Sequence, residues 1–327
     1  MSDQNRYLRQ EILPEIGKAG QEKLSNANIV VVGAGGLGAP LLSYLAGAGI
    51  GNITIIDHDL VELSNLHRQP LFNEDDIGLF KASTAKEHLS KYNSKISIKN
   101  HNCRLEPSNV ESLCKDADVI IDAADSFAVT YILSDYALKT KTPYVSASVL
   151  GFKGYVGAFC GTHAPSIRAV FPDLPISAQN CATAGVSGPA VGVLGTLQAQ
   201  ITLNILLELS PSPMGKMLNV DLINFTTSSF SFLGASEPKN GFKFISQSQI
   251  NEDDVVIDVR SKEESPNLIT PDTIRSEVAT IATIANDANT LTNKPVIIVC
   301  KTGLRAWNAG LNLQNAGIKD IKLIAAG

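Results

Sequence analysis

Apolar residues fall along this chain in short unbroken runs separated by longer stretches of mixed polarity. Ile29-Val-Val-Val32, Ile53-Thr-Ile-Ile56 and Val119-Ile-Ile-Asp122 are β-branched and nearly continuous rather than alternating. That is how a strand covered on both faces of a parallel sheet reads. A helix is predicted after the first run, with Pro40 near its start and its end about Ala48, and another over 81–92. Further strands are predicted near 96–101, at Tyr144–Ser148 and at Tyr155–Phe159, with Gly151 and Gly154 in the turn between the last two. Residues 6–25 predict an amphipathic helical preamble, 161–188 a long crossing loop rich in Pro, Ala, Ser and Gly, and 189–209 a long apolar helix. The strand–helix alternation predicts an α/β fold with an open, mostly parallel sheet.

The pattern breaks at Gly234-Ala-Ser-Glu-Pro-Lys-Asn-Gly241, which predicts a linker over 234–243. Val255-Val-Ile-Asp-Val259 and Val296-Ile-Ile-Val299 then predict strands of a second, smaller α/β unit. The chain thus divides into residues 1–233, the linker 234–243, and residues 244–327. No internal repeat is present.

The first strand runs into Gly33-Ala-Gly-Gly-Leu-Gly38. Gly33, Gly35 and Gly38 permit a tight turn and close approach of backbone to phosphate, with the following helix supplying positive potential. Asp57 ends the second strand, where an acid can bond ribose hydroxyls in a Rossmann-like sheet. These features alone suit a dinucleotide as well as ATP. Asp59, Asn65, Arg68, Gln69, Lys81 and Asp125 shift the reading towards ATP. Nucleotidyl transfer needs cations and metal ligands around the phosphates, whereas hydride transfer does not.

Composition narrows the field further. With 327 residues, 44% hydrophobic and 18% charged, the chain can bury a substantial core. A net charge of −5 without a basic run argues against nucleic acid. The start, Met-Ser-Asp-Gln-Asn-Arg, has no apolar signal core, and the run around Ile29–Val32 is too short for a bilayer, so a cytoplasmic, non-membrane location is expected. The cysteines are Cys103, Cys114, Cys160, Cys181 and Cys300; none forms a Cys-x-x-Cys pair, so no disulfide framework or zinc ribbon is indicated. The five histidines show no metal spacing.

Arg6-Tyr-Leu-Arg-Gln10, the glycine turn, Asp57-x-Asp59, Ser64-Asn-Leu-His-Arg-Gln69, Gly78-x-x-Lys81 and Asp122-x-x-Asp125 together resemble the MoeB/ThiF family, bacterial relatives of ubiquitin-activating enzymes, over about residues 5–232. The resemblance implies adenylation, with ATP and magnesium, of the C-terminal Gly-Gly carboxylate of a ubiquitin-like sulfur carrier. It further implies that Asp57 holds the ribose, Arg68 and Lys81 the phosphates and Asp125 magnesium. Asn65, Gln69, Asp59 and the glycine loop (Gly33, Gly35, Gly36, Gly38) would line the pocket, and Arg9 would reach the partner subunit's ATP in a homodimer. Two departures stand out: Asp125-Ser126 replaces the family's Asp-Asn, and Ser166-Ile-Arg-Ala169 stands where the first zinc-binding Cys-x-x-Cys pair would be. No second pair follows in 210–240, so no zinc is expected.

Two thiols carry further chemistry. Cys181, in Asn180-Cys-Ala-Thr-Ala-Gly185, resembles the family's Cys-x-x-Ala-Gly element, which implies a covalent link to the carrier. Cys300 ends an apolar run and opens Cys300-Lys301-Thr302-Gly303-Leu304-Arg305, with a helix predicted from about Ala306. Inward amides and a helix dipole at such a turn favour a thiolate and a persulfide. With Asp258-Val-Arg260, this stretch resembles the rhodanese domain over about residues 243–327. The resemblance implies a persulfide on Cys300 cradled by residues 301–305, and a sulfur donor such as a cysteine desulfurase or thiosulfate. The family's Gly-His-Ile-Pro-Gly-Ala segment is absent between Glu264 and Ala279, and the sequence stops at Gly327 before its closing Gly-Gly-x-x-x-Trp helix. The alternative is adenylation alone, or of another carboxylate, beside an inactive module. The downstream product, thiamine thiazole, molybdopterin or a thiolated tRNA, is left open.

Overall fold

The computed structural model describes residues 6–174, 185–285 and 294–326. Its larger sheet contains β1 (Asn28–Val32), β2 (Asn52–Ile56), β3 (Ser97–His101), β4 (Val119–Asp122), β5 (Pro143–Leu150), β6 (Lys153–Cys160), β7 (Lys216–Asp221) and β8 (Thr226–Ser231), in the order β3-β2-β1-β4-β5-β6-β7-β8. The strands from β3 to β5 are parallel, and β6, β7 and β8 each pair antiparallel with their neighbour. This is the Rossmann-like α/β architecture expected from the apolar runs. The strand order reverses between β1 and β4, and such a switch point opens a crevice at the carboxyl ends of the strands.

The β-branched runs explain the layering. Ile29 and Val31 of β1 face one core, and Val30 and Val32 face the other. The helices are α1 (Leu8–Glu11), α2 (Gly17–Asn26), α3 (Gly38–Ala48), α4 (Lys81–Tyr92), α5 (Val110–Cys114), α6 (Phe127–Thr140), α7 (Ile167–Val170), α8 (Gly188–Leu206), α9 (Ile281–Ala285) and α10 (Leu304–Asn315). Leu41, Leu42 and Leu45 of α3, Ala82 and Ala85 of α4 and Val191 and Leu194 of α8 cover one face; Tyr131, Ile132 and Leu133 of α6 cover the other. Among the described residues α8 alone is long and apolar enough to cross a membrane, and it packs on α3, β5 and β6.

Several elements differ from expectation. The preamble splits into α1 and α2 around Pro14, and α2 starts at Gly17 with φ +57°. The long helix ends at Leu206, ahead of Pro211, and the crossing loop holds the single turn of α7. α6, β7 and β8 have no counterpart among the predicted elements. β8 reads Thr-Thr-Ser-Ser-Phe-Ser with every residue exposed, so an edge strand lacked the apolar signature.

The smaller sheet is all parallel: β9 (Lys243–Phe244), β10 (Val255–Asp258), β11 (Ile274–Arg275), β12 (Val296–Cys300) and β13 (Ile321–Ala325), ordered β11-β10-β12-β13-β9. Its core is continuous with that of the larger unit. Trp307 of α10 lies 5.4 Å from the Tyr131 ring of α6 and 5.0 Å from Phe242. The stretch read as a linker is held down as well: Phe242 is buried, and the Glu237 carboxylate accepts from the Ser166 amide at 2.6 Å and from its hydroxyl at 2.6 Å.

Candidate functional site

The glycine loop needs its glycines for two different reasons. Gly33 has φ +98°, and a Cβ there would lie 2.6 Å from the Ala123 carbonyl oxygen. A Cβ on Gly38 would stand 2.1 Å from the Gly33 oxygen, closing the turn that opens α3. Gly36 abuts Val191 of α8, and Gly35 faces the Gln69 side chain.

Asp57 fastens this loop from below. One carboxylate oxygen accepts the Ala34 N–H at 2.7 Å and the other the Asp59 N–H at 2.8 Å. Burial pushes its pKa above the usual carboxylate range, and the two amides and Lys81 oppose that shift.

Asp59 sits higher, half-exposed, 3.0 Å from Lys81 Nζ. Lys81 is the first residue of α4, and its side chain is only 7% exposed, so its ammonium is held at the crevice by design of the fold. For Asp59, burial works to raise the pKa, but the Lys81 hydrogen bond and charge, with His58 and Arg104, hold it below the ordinary value. Ligand atoms of Asp57, His58 and Asp59 lie within 4.8 Å of one another. Lys81 and Arg104 already answer that negative charge.

The segment after the second strand folds as a short 3-10 turn, Leu63–Asn65, that buries two amides. Asn65 is 7% and Gln69 2% exposed, and Asn65 Oδ1 and Gln69 Oε1 have no hydrogen-bond partner. Buried acceptors of this kind are rare in finished interiors and common where a ligand brings the donors. Arg68 donates to the Ser64 carbonyl at 3.1 Å, and its stem passes over Gly36.

Across the crevice, Asp125 is exposed on the loop between β4 and α6. The residue that shapes this loop is Asp122. Its carboxylate is wholly buried and accepts from Thr130 Oγ1 (2.6 Å), Tyr144 OH (2.8 Å), Ser146 Oγ (3.2 Å) and the Ala124 N–H (3.1 Å). Burial raises its pKa, and these four donors work against the rise. Asp122 was visible in the sequence only as part of a spacing. Its partners were hidden, although an acid closing an unbroken apolar strand signals a satisfied buried carboxylate. Arg104, beside His58, had no sequence signal at all.

The structure thus gathers Gly33, Gly35, Gly36, Gly38, Asp57, Asp59, Asn65, Arg68, Gln69, Lys81 and Asp125 at the carboxyl ends of β1, β2 and β4. Arg9 stands apart, exposed on α1. Cys181 lies outside the described residues. A groove of about 460 Å³ opens at the same edge of the sheet, where β5, β6, β7 and β8 meet, lined by Ser148, Lys153, Tyr155, Asn219 and Thr227 among others.

Cys300 ends β12 and is wholly buried. Its Sγ accepts the Gly303 N–H at 3.0 Å and the Ala306 N–H at 3.3 Å. Gly303, at φ +90°, packs against Phe244 and against Ala128 of α6. Lys301 and Thr302 are exposed; Arg305 pairs with Glu264 at 2.7 and 2.8 Å. Asp258 is buried in a two-pronged pair with Arg260. By contrast, burial pushes the Cys114 and Cys160 thiols up to about 12, which suits packing rather than chemistry.

The family model described as "ThiF family" matches residues 7–241. An adenylyltransferase and sulfurtransferase MOCS3 from Culex quinquefasciatus is 42% identical over 218 residues, covering 66% of this chain and 50% of the relative. A sulfur carrier protein adenylyltransferase of Thermus thermophilus is 38% identical over 226 residues, covering 67% of this chain and 83% of the relative. The crystal structure of E. coli MccB with MccA-N7isoASN superposes with a TM-score of 0.64 at 25% identity, covering 72% of this chain and 74% of that one; MccB with ATP gives 0.61. The chain spans about half the length of the MOCS3 relatives it matches. It belongs to the ThiF family.

Proposed function

We propose that this chain binds ATP in the crevice at the carboxyl ends of β1, β2 and β4 and adenylates the C-terminal carboxylate of a small ubiquitin-like carrier ending in Gly-Gly. The observation that carries this reading is the pairing of a buried, pre-placed Lys81 with unpartnered acceptors on Asn65 and Gln69 around a glycine loop. The acceptors suit the hydroxyls and amino group of a nucleoside, and Lys81 and Arg68 suit its phosphates. A carboxylate oxygen of the carrier attacks the α-phosphorus, the bond to the β-phosphate oxygen breaks, and pyrophosphate leaves. Lys81 and Arg68 offset the charge that builds during this in-line displacement. Asp125, an exposed carboxylate on the facing loop, fits a hard divalent cation such as magnesium, which would screen the phosphates. The groove on the antiparallel half supports a protein substrate, because it opens at the same edge of the sheet as the nucleotide crevice. The names of the Culex and Thermus relatives support the same reading.

In the second half of the reading, Cys300 carries a persulfide. Its outer sulfur attacks the carrier's acyl carbon and AMP leaves. Cys181 then attacks the Cys300 sulfur, releasing the thiocarboxylate and leaving a disulfide that a thiol reductant reopens. The two amides on Sγ support a role for Cys300 as a sulfur holder. We place the protein in the cytoplasm, as a homodimer with Arg9 reaching the partner's nucleotide, fed by a sulfur donor such as a cysteine desulfurase or thiosulfate. A second reading, adenylation of another peptide carboxylate with a silent module, is favoured by the complete burial of Cys300 and by the likeness to MccB bound to an MccA derivative.

The test is pyrophosphate release with and without a Gly-Gly carrier, in wild type and Asp125→Ala. The first reading expects carrier-dependent release that the substitution lowers by about a hundredfold. Release that ignores both the carrier and the substitution would refute it.

A further inference from the structure

Arg104 lies just after β3 and outside every nucleotide motif, yet it touches both halves of the molecule. Its Nη2 stands 3.2 Å from His58 Nε2, and that ring nitrogen lies 3.4 Å from the Asp59 carboxylate, which holds Lys81. Its Nη1 donates over 3.5 Å to the Ala325 carbonyl at the end of β13. The next residue, Ala326, donates its N–H to the Cys300 carbonyl at 2.8 Å. A second contact runs in parallel: α6 begins directly after Asp125-Ser126, and Ala128 in its first turn abuts Gly303 of the Cys300 loop. The two chemical centres therefore meet within one chain, carboxyl end to carboxyl end.

Cys300 is wholly buried in this arrangement, so neither a sulfur donor nor a carrier tail can reach Sγ. We propose that Arg104 is a positioning residue that couples nucleotide binding to exposure of Cys300. A polyanion arriving beside Lys81 draws the guanidinium off the Ala325 carbonyl, and the end of β13, whose Ala325 pairs with Cys300 in the sheet, loosens beside the thiol. The inference rests on the ATP reading given above. The competition favours the nucleotide, because the bond to Ala325 is long and made to a neutral carbonyl, while charge-assisted bonds to phosphate are roughly twice as strong. Opening is local. Trp307 stays clamped between Tyr131 and Phe242, and the Arg168 guanidinium, 4.2 Å over the Tyr131 ring, is pinned by Asp135. The thiol is then shielded until an acyl-adenylate can form.

The experiment measures alkylation of Cys300 by iodoacetamide, read by peptide mass, in the full chain with and without magnesium and a non-hydrolysable ATP analogue. Calorimetry on the same samples reports analogue binding, and thermal melts report folding. In wild type the analogue is expected to raise the rate about fivefold to tenfold, what loss of one ordinary hydrogen bond allows. Arg104→Ala is expected to alkylate fast in both conditions, and Arg104→Lys, which keeps the charge without the fork, to respond partly. Arg104→Lys carries the comparison if Arg104→Ala fails to fold. Bound analogue with an unchanged wild-type rate, or a full response in either variant, overturns the coupling. Absence of analogue binding overturns the ATP reading, and the coupling with it.

Discussion

The glycine loop at 33–38 and the Cys300 loop occupy equivalent places in two different sheets. Each follows an interior parallel strand, turns on a glycine of positive φ, and opens a helix. They differ in what their polar groups meet. Around the first loop, Asn65 and Gln69 leave buried acceptors unanswered, and a buried Lys81 pairs with a half-exposed Asp59 at the crevice. In the second, the Gly303 and Ala306 amides are both taken by Sγ, and no part of the cysteine is exposed. One strand–turn–helix has open acceptors beside its loop; the other is built around an atom of its own chain, although Trp307 Nε1 in its helix is also unpartnered. The physical lesson is that what the polar groups at the loop meet, more than backbone shape, separates a candidate receiving site from a storing one.

The largest effect that would break this contrast is expected at the receiving site. Lys81→Ala removes a buried cation that no surface lysine can replace. Carrier-dependent pyrophosphate release is expected to fall about 100-fold to 1,000-fold, the usual cost of one pre-placed charge-stabilising group. A loss under about threefold would mean that the phosphates lie elsewhere.

Next in size is Asp122→Ala, which tests whether the crevice wall is rigid before any ligand binds. It strands the Thr130 and Ser146 hydroxyls and the Ala124 amide, and leaves Tyr144 OH only the Thr130 carbonyl at 3.2 Å. A loss of about 3–5 kcal/mol in denaturant melts is expected, since each stranded group costs about 1–3 kcal/mol and relaxation recovers part. A change below about 1 kcal/mol would show that water already serves these groups.

How much of this was legible in the sequence depends on what each residue answers to. Ile29–Val32, Ile53–Ile56 and Val119–Asp122 are covered on both faces, so composition alone marked them as strands. β8 answers only to its neighbour β7 and to solvent, and its Thr and Ser residues read as loop. The glycine turn, Asp57 and Lys81 were visible because spacing along the chain fixes their place at strand and helix ends. Arg104 and the Gly303–Ala128 contact join residues far apart in sequence, so no local pattern could announce them. The burial of Cys300 was equally hidden, because it depends on how the smaller sheet seats on α6.

A smaller effect is expected in the storing loop. Gly303→Ala would force a side chain into φ +90° and place Cβ 2.8 Å from Phe244 Cε1. The strain is worth about 1–3 kcal/mol. It should appear as a lower melting temperature, and as faster Cys300 alkylation if the cover loosens. An unchanged melt would mean that Phe244 yields freely and that the loop is less tightly closed than its contacts imply.

The smallest effect sharpens the contrast from the solvent side, where Glu264 braces Arg305 at the start of α10. The Arg305 hydrogen bonds, then the Ser261 amide, hold the Glu264 carboxyl down at about 2, against 4.5 for the free group. A folded pKa below the unfolded one stabilises the native state above the unfolded value. That contribution drains away as pH falls from about 4.5 towards about 2. Glu264→Gln should therefore be less stable than wild type at pH 7 and indistinguishable from it near the lower limit. Both partners are 39% exposed, so the difference is expected to stay under about 1 kcal/mol and to shrink in concentrated salt. A gap that persists at low pH would assign the role of Glu264 to packing rather than charge. The Cys300 loop would then owe its shape to packing and to the two amides on Sγ rather than to a charge pair.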